Sequence, residues 1–385
     1  MSIIVTSPQS RDEAVALPRT VGLVSHNLWL IPIPICAWPL GRADRCADNL
    51  SHYARQCAAT ALQPTLIIVA VQEAWALRTG ILWIVMYLWT MIESWFLRIG
   101  FSGAHEPLVL RILRTVIIMM VTLMAWLTAW LPPLRWVVWD PKPKIANLLR
   151  TSASLTWSVS GTTALCKSSM WAYPPILLDS GLLLSSSEPA DESGFVPYER
   201  EGVASIALSG MLWARWGSLG VINTHMTFEN GDDGVLRKKQ HKALASLVAS
   251  LIMREECKCG AVIVMGDLNH ALSSQTTRGK PGKAPYGMDR EPSQYQCPWL
   301  PGHADLLGLL DSLRMDGIMQ VTRMSGDEPT NEDGTIDHIL VVTLASAKTS
   351  YESVHIPNFS NTVADEHAEI SDHLLIKAVL QRVDL

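Results

Sequence analysis

Residues 262–272 read VIVMGDLNHAL, an apolar run followed by closely spaced polar residues. The apolar run from Ala261 to Met265 is typical of a β-strand that is covered on both faces, and the glycine after it allows a tight turn. Because residues at i and i+2 of an extended segment point the same way, we expect the Asp267 carboxylate and the Asn269 amide to address one bound atom. The alternative is a turn in which both side chains satisfy local backbone groups.

Other apolar strands also end in polar side chains. The pattern TVGLVSHNLW ends near Asn27, TLIIVAVQEAW ends near Glu73, and WGSLGVINTHMTF ends near His225. Each such residue alone has an ordinary explanation, such as a helix cap or a buried core histidine. Their repetition at strand ends indicates that they form one site. The candidate residues collected in this way are Asn27, Glu73, Asp179, His225, Asp267, Asn269, Asp337, Asp372 and His373.

The composition limits the partners that we expect. Apolar residues make up 48% of the 385 residues and charged residues only 17%, against about 25% charged in an average soluble protein. The net charge of -5 gives no general attraction for a polyanion, so we expect no nucleic-acid partner. The oligomeric state is not set by the sequence.

The cysteines and the amino terminus indicate a reducing, cytosol-facing location. Seven cysteines are scattered without a CxxC pair, which argues against a disulfide framework and against a zinc site. The first residues lack a basic flank followed by a sustained apolar run, so we expect no secretory signal. We expect residues 1–19 to be a flexible segment ahead of the main domain.

An apolar window interrupts the pattern of strands between residues 77 and 145. Eight of the fifteen tryptophans fall in residues 75–139, and residues 115–134 contain no charge in twenty positions, about the length that crosses hydrocarbon. One interpretation is a buried helical subdomain. The other is a membrane-associating helical hairpin at residues 78–139, either crossing the bilayer or lying in one leaflet. Two passes would return the chain to its starting side, so one enzyme domain spanning residues 20–385 could resume after the window.

Six short motifs occur in order along the chain: SHNLW, VQEAW, INTHM, MGDLN, TIDHI and SDHLL. Together they resemble the motif set of the metal-dependent endonuclease/exonuclease/phosphatase superfamily. RADR, DSGLLLSSSEP, REGVASIAL and THMTFEN are more similar to its neutral sphingomyelinase branch than to its nucleases. The resemblance covers residues 20–75 and 172–382. It implies an α/β fold, a four-layer α/β sandwich of two packed mixed β-sheets flanked by helices, with the site at one end of the sheets.

The resemblance also implies which residues bind the metal. By position, Glu73 resembles the principal Mg²⁺ ligand, with Asn27 nearby, and Asp372 would lie beside the metal. Asp267 and Asn269 would hold the attacking water or a second metal ion. Mg²⁺ is therefore the expected cofactor, with Mn²⁺ as the alternative.

The same resemblance implies the catalytic roles. His373 would be the general base or acid, and Asp337 would fix the orientation of its ring. His225 would donate to the phosphoryl oxygens, oriented by Asp179. The chain departs from the pattern at His338, where sphingomyelinases usually carry tyrosine, and we interpret it as a supporting or surface residue.

Elementary chemistry agrees with these roles. Phosphodiester hydrolysis needs charge neutralisation, an activated water and a proton for the leaving oxygen, and hard oxygen ligands suit Mg²⁺ or Mn²⁺. With the apolar window, the sequence predicts a phospholipase C-type phosphodiesterase acting on a membrane sphingolipid or phospholipid. The alternative is an endonuclease, exonuclease or inositol-polyphosphate phosphatase of the same superfamily.

Overall fold

The computed structural model describes fourteen parts of the chain. They are residues 18, 20–28, 42–60, 66–74, 140–161, 179–199, 208–227, 235–253, 259–269, 303–324, 337–347, 349–353, 362–363 and 375–384. His373, Asp372, His270 and nearly all of the apolar window lie outside these residues, as do residues 1–17.

The first sheet contains seven strands. They are β1 (Thr20–Asn27), β2 (Leu66–Gln72), β3 (Trp157–Ser160), β4 (Leu183–Ser186), β11 (Thr349–Ser353), β12 (Thr362–Val363) and β13 (Leu375–Asp384). Their order is β11-β13-β1-β2-β4-β3, and β12 also pairs with β13. Strands β1 and β2 run parallel and the other pairs run antiparallel, so the sheet is mixed.

The second sheet contains six strands in the order β5-β6-β7-β8-β10-β9. They are β5 (Glu192–Pro197), β6 (Gly210–Trp216), β7 (Leu219–His225), β8 (Ala261–Asp267), β9 (Met319–Arg323) and β10 (Asp337–Leu344). Here β7 and β8 are the parallel pair. Every residue of β8 is buried, as its continuous apolar run predicts.

The two sheets pack face to face over one apolar core. Leu23 and Ile68 of the first sheet share this core with Val221, Ile263 and Ile339 of the second. Alternate residues of the same strands face outward, where separate apolar clusters pack under the helices. The described residues include four helices, which are α1 (Arg42–Thr60), α2 (Lys142–Ala153), α3 (Val235–Met253) and α4 (His303–Arg314). Helices α1 and α2 cover the first sheet and α3 and α4 cover the second, which confirms the predicted four-layer sandwich.

Strand pairing brings the polar strand ends to one edge. His225 at the end of β7 pairs with Asp267 at the end of β8, and Asp267 pairs in turn with Asp337 at the start of the antiparallel β10. In the other sheet Asn27 pairs with Gln72, the residue before Glu73. The site therefore forms where both sheets end.

Residues 140–145 are the part of the predicted 77–145 window that the structure describes. Residues 140 and 141 precede α2 and residues 142–145 form its first turn. Ile145 packs in the cluster beneath α1. Among the helices of the described residues, none is long and apolar enough to cross a membrane.

Candidate active site

Two carboxylates, an imidazole and an amide meet at the shared edge of the sheets. The Asn27 Nδ2 group donates to Glu73 Oε1 and to Asp267 Oδ2, at 3.0 Å each. His225 Nε2 lies 3.4 Å from that same Glu73 oxygen and 3.7 Å from that same Asp267 oxygen. Asn27 and Asp267 are buried, while the His225 side chain retains 14% exposure. The cluster is thus buried at Asn27 and Asp267 and partly exposed to solvent at the His225 imidazole.

Glu73 reaches the cluster through an unusual backbone conformation. Its φ is +53°, in the left-handed region, immediately after β2 ends at Gln72. A residue other than glycine held there costs about 1–3 kcal/mol. The next residue, Ala74, is held by a separate segment of the chain, because its N–H donates to Gly181 O at 2.9 Å. The surrounding hydrogen bonds therefore maintain the turn that points the carboxylate into the site.

The segment after β8 forms a turn, so the predicted extended arrangement of Asp267 and Asn269 is wrong. Asn269 has a φ of +52°, and its backbone N–H donates to Asp267 Oδ1 at 2.8 Å. Its side-chain Nδ2 donates to Met226 O at 2.7 Å. The local turn that sequence left open is thus present, because the aspartate side chain competes for nearby backbone donors. Asp267 still serves the site with its second oxygen, Oδ2.

Gly266 allows β8 to approach β7 at the site. Its φ is +134°, and a Cβ built there would lie 2.1 Å from Thr224 O. A side chain at this position would push Asp267 away from His225, its neighbour across the strands.

Buried amides link the two sheets directly below the carboxylates. The Gln72 Nε2 group donates to Asn223 Oδ1 at 2.6 Å and to Ser25 Oγ at 3.1 Å. Asn223 Nδ2 donates to Val71 O at 2.9 Å and to Leu183 O at 3.0 Å. A side chain of the second sheet is therefore bonded to two strands of the first. Sequence reasoning missed Gln72 and Asn223, although polar residues inside otherwise apolar strands were a usable signal.

A buried ammonium group lies next to the Glu73 turn, and sequence reasoning missed it as well. Lys142, at the start of α2, is only 1% exposed, and its Nζ donates to Ala74 O at 3.1 Å. The same Nζ pairs with the buried Asp179 and lies 2.9 Å from Asp140 Oδ1. Asp179 is thus paired with a lysine through its Oδ2. The expectation that Asp179 orients the His225 ring stays a prediction. Nothing in the sequence separates Lys142 from the exposed Lys144 two residues later.

Helix α3 fixes the chain that leaves His225. The Thr227 N–H donates to Gln240 Oε1 at 3.1 Å, and the Arg237 guanidinium donates to Thr227 O at 3.3 Å. Arg237 and Gln240 are each 1% exposed. The residue two positions after His225 is therefore held through both its backbone groups.

The donors at the cluster fit a divalent cation. One ligand atom each from Glu73, His225 and Asp267 lies within 4.8 Å of the others. Their separations of 3.4 and 3.7 Å from His225 Nε2 are close to the ~3 Å between neighbouring ligands around an ion held at ~2.1 Å. Sequence reasoning gave His225 a catalytic role and missed it as a ligand candidate. Asn27 presents its nitrogen to both carboxylates, so it would have to rotate its amide to ligate through oxygen.

The structure places one further predicted residue, Asp337, and does not describe two others. Asp337 is 1% exposed and lies opposite Asp267 in the sheet. His373 and Asp372 lie outside the described residues, so their catalytic and metal-binding roles stay predictions.

Comparison with known proteins finds similar structures but no similar sequence. No family model matches the chain, and no curated protein gives a significant match. The chain is similar to the crystal structure of SmcL, with 14% identity and a TM-score of 0.46 over 94% of this chain and 99% of that one. It is similar to a beta toxin variant from Staphylococcus aureus with bound magnesium ions, with 15% identity and a TM-score of 0.47 over 93% and 98%.

A third similar structure is an endonuclease/exonuclease/phosphatase from Beutenbergia cavernae, with 15% identity and a TM-score of 0.49 over 94% of this chain and 72% of that one. The name of this third structure is that of the superfamily whose motif set the sequence resembles.

Proposed function

We propose that this protein is a divalent-metal-dependent phosphodiesterase that hydrolyses a membrane sphingolipid or related phospholipid into a phosphorylated headgroup and a lipid alcohol. The observation that carries the proposal is the convergence of Glu73, His225 and Asp267, whose ligand atoms lie within 4.8 Å of one another. Residues that are remote in sequence meet at the end of two different sheets. The two carboxylates of this group suit a hard divalent cation, and the imidazole lies beside them.

The side chains match the demands of phosphodiester hydrolysis. A divalent cation held by Glu73 and Asp267 would neutralise charge on the phosphoryl group. His225 retains 14% exposure beside the carboxylates, where it can donate to a phosphoryl oxygen. The oxygen of water bonds to phosphorus as the bond from phosphorus to the lipid oxygen breaks. His373, oriented by Asp337, is the residue proposed to take the proton of the water and return one to the leaving oxygen.

The lipid substrate is proposed from the apolar sequence that adjoins the site. Residues 115–134 carry no charge, and the described residues nearest to residues 78–139 on either side are Ala74, directly after Glu73, and Asp140. Both contact the same Lys142 Nζ, at 3.1 and 2.9 Å. A membrane-engaging segment attached here would place lipid headgroups within reach of the carboxylates, with the catalytic domain facing the cytosol.

The test is hydrolysis of a substrate panel by the purified chain with Mg²⁺ and with a chelator. The panel contains sphingomyelin, inositol phosphosphingolipid, phosphatidylcholine and plasmid DNA, and the products are identified by mass. We expect a phosphorylated headgroup and a ceramide or diacylglycerol, formed only with the metal. We also expect His373→Ala to abolish turnover while the circular dichroism spectrum is unchanged.

Two results would contradict the proposal. Turnover that survives complete chelation would remove the metal from the reaction. Faster cleavage of DNA than of any lipid would assign the same site to a nuclease.

A further inference from the structure

A closed ring of contacts surrounds Ala74, the residue after the proposed metal ligand Glu73. The Ala74 N–H donates to Gly181 O at 2.9 Å, and the Gly181 N–H donates to Asp179 Oδ1 at 3.0 Å. The other oxygen of Asp179 pairs with Lys142 Nζ, and that nitrogen donates back to Ala74 O at 3.1 Å. Both backbone groups of Ala74 are therefore held by one buried unit.

The ring contains a buried ion pair whose location needs a reason. Asp179 is fully buried and Lys142 is 1% exposed. Removing two such charges from water costs several kcal/mol per ion, so a buried pair is often no more stabilising than apolar residues of similar volume. Stability alone is thus a weak explanation for a lysine at this position. The direct hydrogen bond from Lys142 to the Ala74 carbonyl points to a role in fixing the neighbouring turn at Glu73.

The turn at Glu73 has a strained backbone conformation. Glu73 has a φ of +53°, and its Oε1 is one of the two oxygens that Asn27 Nδ2 contacts. The left-handed conformation of a non-glycine residue persists only when its surroundings enforce it. The Ala74 carbonyl is the first acceptor after Glu73, so a donor fixed there limits rotation of the turn. A fixed ammonium group is such a donor.

We propose that Lys142 is a positioning residue for Glu73, acting through the Ala74 carbonyl, with Asp179 as the charge that keeps the ammonium in place. The proposal rests on the metal centre proposed above. It gives the first turn of α2 a part in metal binding, although Lys142 does not contact the carboxylates through any hydrogen bond described for the cluster. Metal affinity should therefore depend on a residue that supplies no ligand atom.

The experiment compares Mn²⁺ affinity and melting temperature in four proteins. Mn²⁺ binding is measured from the electron paramagnetic resonance signal of the free ion. The variants are Lys142→Met, Lys142→Met with Asp179→Asn, and the control Lys144→Met. Lys144 is 57% exposed and pairs with Asp44 at 2.7 Å, so its substitution removes an ion pair from the same helical turn.

We expect Lys142→Met to weaken Mn²⁺ binding by about tenfold or more, equivalent to ~1.4 kcal/mol, and to lower the melting temperature. The double variant removes the unpaired buried charge, and its new amide can still accept from the Gly181 N–H. It should therefore regain much of the melting temperature while its Mn²⁺ affinity stays weak. Lys144→Met should match the unmodified protein in both measurements.

Three outcomes would overturn the inference. Recovery of Mn²⁺ affinity together with stability in the double variant would show that the pair serves the fold only. A double variant that does not fold would lead to the same conclusion. Failure of the unmodified protein to bind Mn²⁺ would instead remove the metal centre, and with it the proposed function.

Discussion

Glu73 combines a charged side chain with a strained backbone conformation. We expect Glu73→Gln to weaken Mn²⁺ binding and to lower the turnover number by about a hundredfold or more, because a neutral amide is a poorer ligand for a hard cation. Phosphodiesterase kinetics and Mn²⁺ titration measure the two effects. The matched control is Glu199→Gln, at a carboxylate that is 60% exposed. Equal activity of the two variants would remove Glu73 from the metal centre.

Asn27 separates two carboxylates that would otherwise repel each other. Its Nδ2 group donates to Glu73 Oε1 and Asp267 Oδ2, both at 3.0 Å. We expect Asn27→Asp to destabilise the metal-free protein by about 2 kcal/mol, because a third carboxylate adds like charge in a buried position. Added Mg²⁺ should then raise the melting temperature more than in the unmodified protein.

The control for this substitution is Asn147→Asp, at an exposed position of α2. Thermal unfolding with and without Mg²⁺ measures both proteins. An Asn27→Asp protein as stable as the unmodified chain, with no added response to Mg²⁺, would contradict the arrangement of the cluster.

Single residues differ in how far sequence could predict them. Glu73 and Asp267 were found because a charged residue after a buried apolar strand stands out in the sequence. The turn conformation of Asn269 was one of two open alternatives, because the local sequence does not choose between an extended segment and a turn. Lys142 was missed because its burial depends on the partner Asp179, which lies 37 positions away in sequence. Sequence patterns therefore identified the ligand candidates better than the groups that hold them in place.

Strand β7 joins the two sheets through one side chain. Asn223 donates to Val71 O and Leu183 O and accepts from Gln72 Nε2. We expect Asn223→Ala to lower the free energy of unfolding by about 2–4 kcal/mol, because it leaves buried backbone carbonyls without a donor. Urea unfolding measures this change.

The comparison variant is Asn147→Ala, which should change stability by less than about 0.5 kcal/mol because the site is exposed. A similar small effect for Asn223→Ala would mean that the inter-sheet hydrogen bonds contribute little. Enzyme activity should fall together with stability in the Asn223 variant, since Glu73 follows Gln72 directly.

Helix α1 packs a buried thiol against β13. Burial raises the pKa of Cys57 from 9.0 to about 12, partly opposed by the Lys377 charge and a backbone hydrogen bond. Between pH 9 and 12 the unfolded chain therefore binds fewer protons than the folded chain. The contribution of the thiol to the free energy of unfolding is fully present below pH 9 and is lost as the pH rises towards 12.

Replacing Cys57 by alanine removes this contribution. We expect the stability difference between the two proteins to be constant from about pH 6 to 8 and then to shrink by ~1.4 kcal/mol per pH unit above pH 9. Urea unfolding at each pH measures it. Parallel stability curves up to pH 11 would contradict the assignment.

The elements themselves were largely predictable, whereas their arrangement was not. The continuous apolar run of β8 indicated its type correctly. The pairing of β8 with both β7 and β10 is a long-range choice that no local pattern specifies. The four-layer architecture was therefore obtained from the ordered motifs and their resemblance to a known superfamily.

At the scale of the whole molecule, one nitrogen atom contacts the described residues on both sides of residues 78–139. Lys142 Nζ contacts both Ala74 O and Asp140 Oδ1, so the described residues nearest to residues 78–139 on either side are already close together. Replacing residues 78–139 by a short glycine-serine linker should therefore leave the domain folded, because closing a shorter loop costs less entropy. Turnover of a soluble diester, bis(p-nitrophenyl) phosphate, should stay within about twofold, since no described ligand candidate is removed.

The same replacement tests whether the window engages membranes. We expect the full chain to sediment with vesicles of phosphatidylcholine and sphingomyelin and the shortened chain to remain in the supernatant, because residues 115–134 supply an uncharged stretch for hydrocarbon. Hydrolysis of vesicle lipid should fall by about tenfold or more while turnover of the soluble diester persists. Sedimentation of the shortened chain would assign membrane binding to another surface. Equal loss of both activities would mean that the window supports the catalytic site directly.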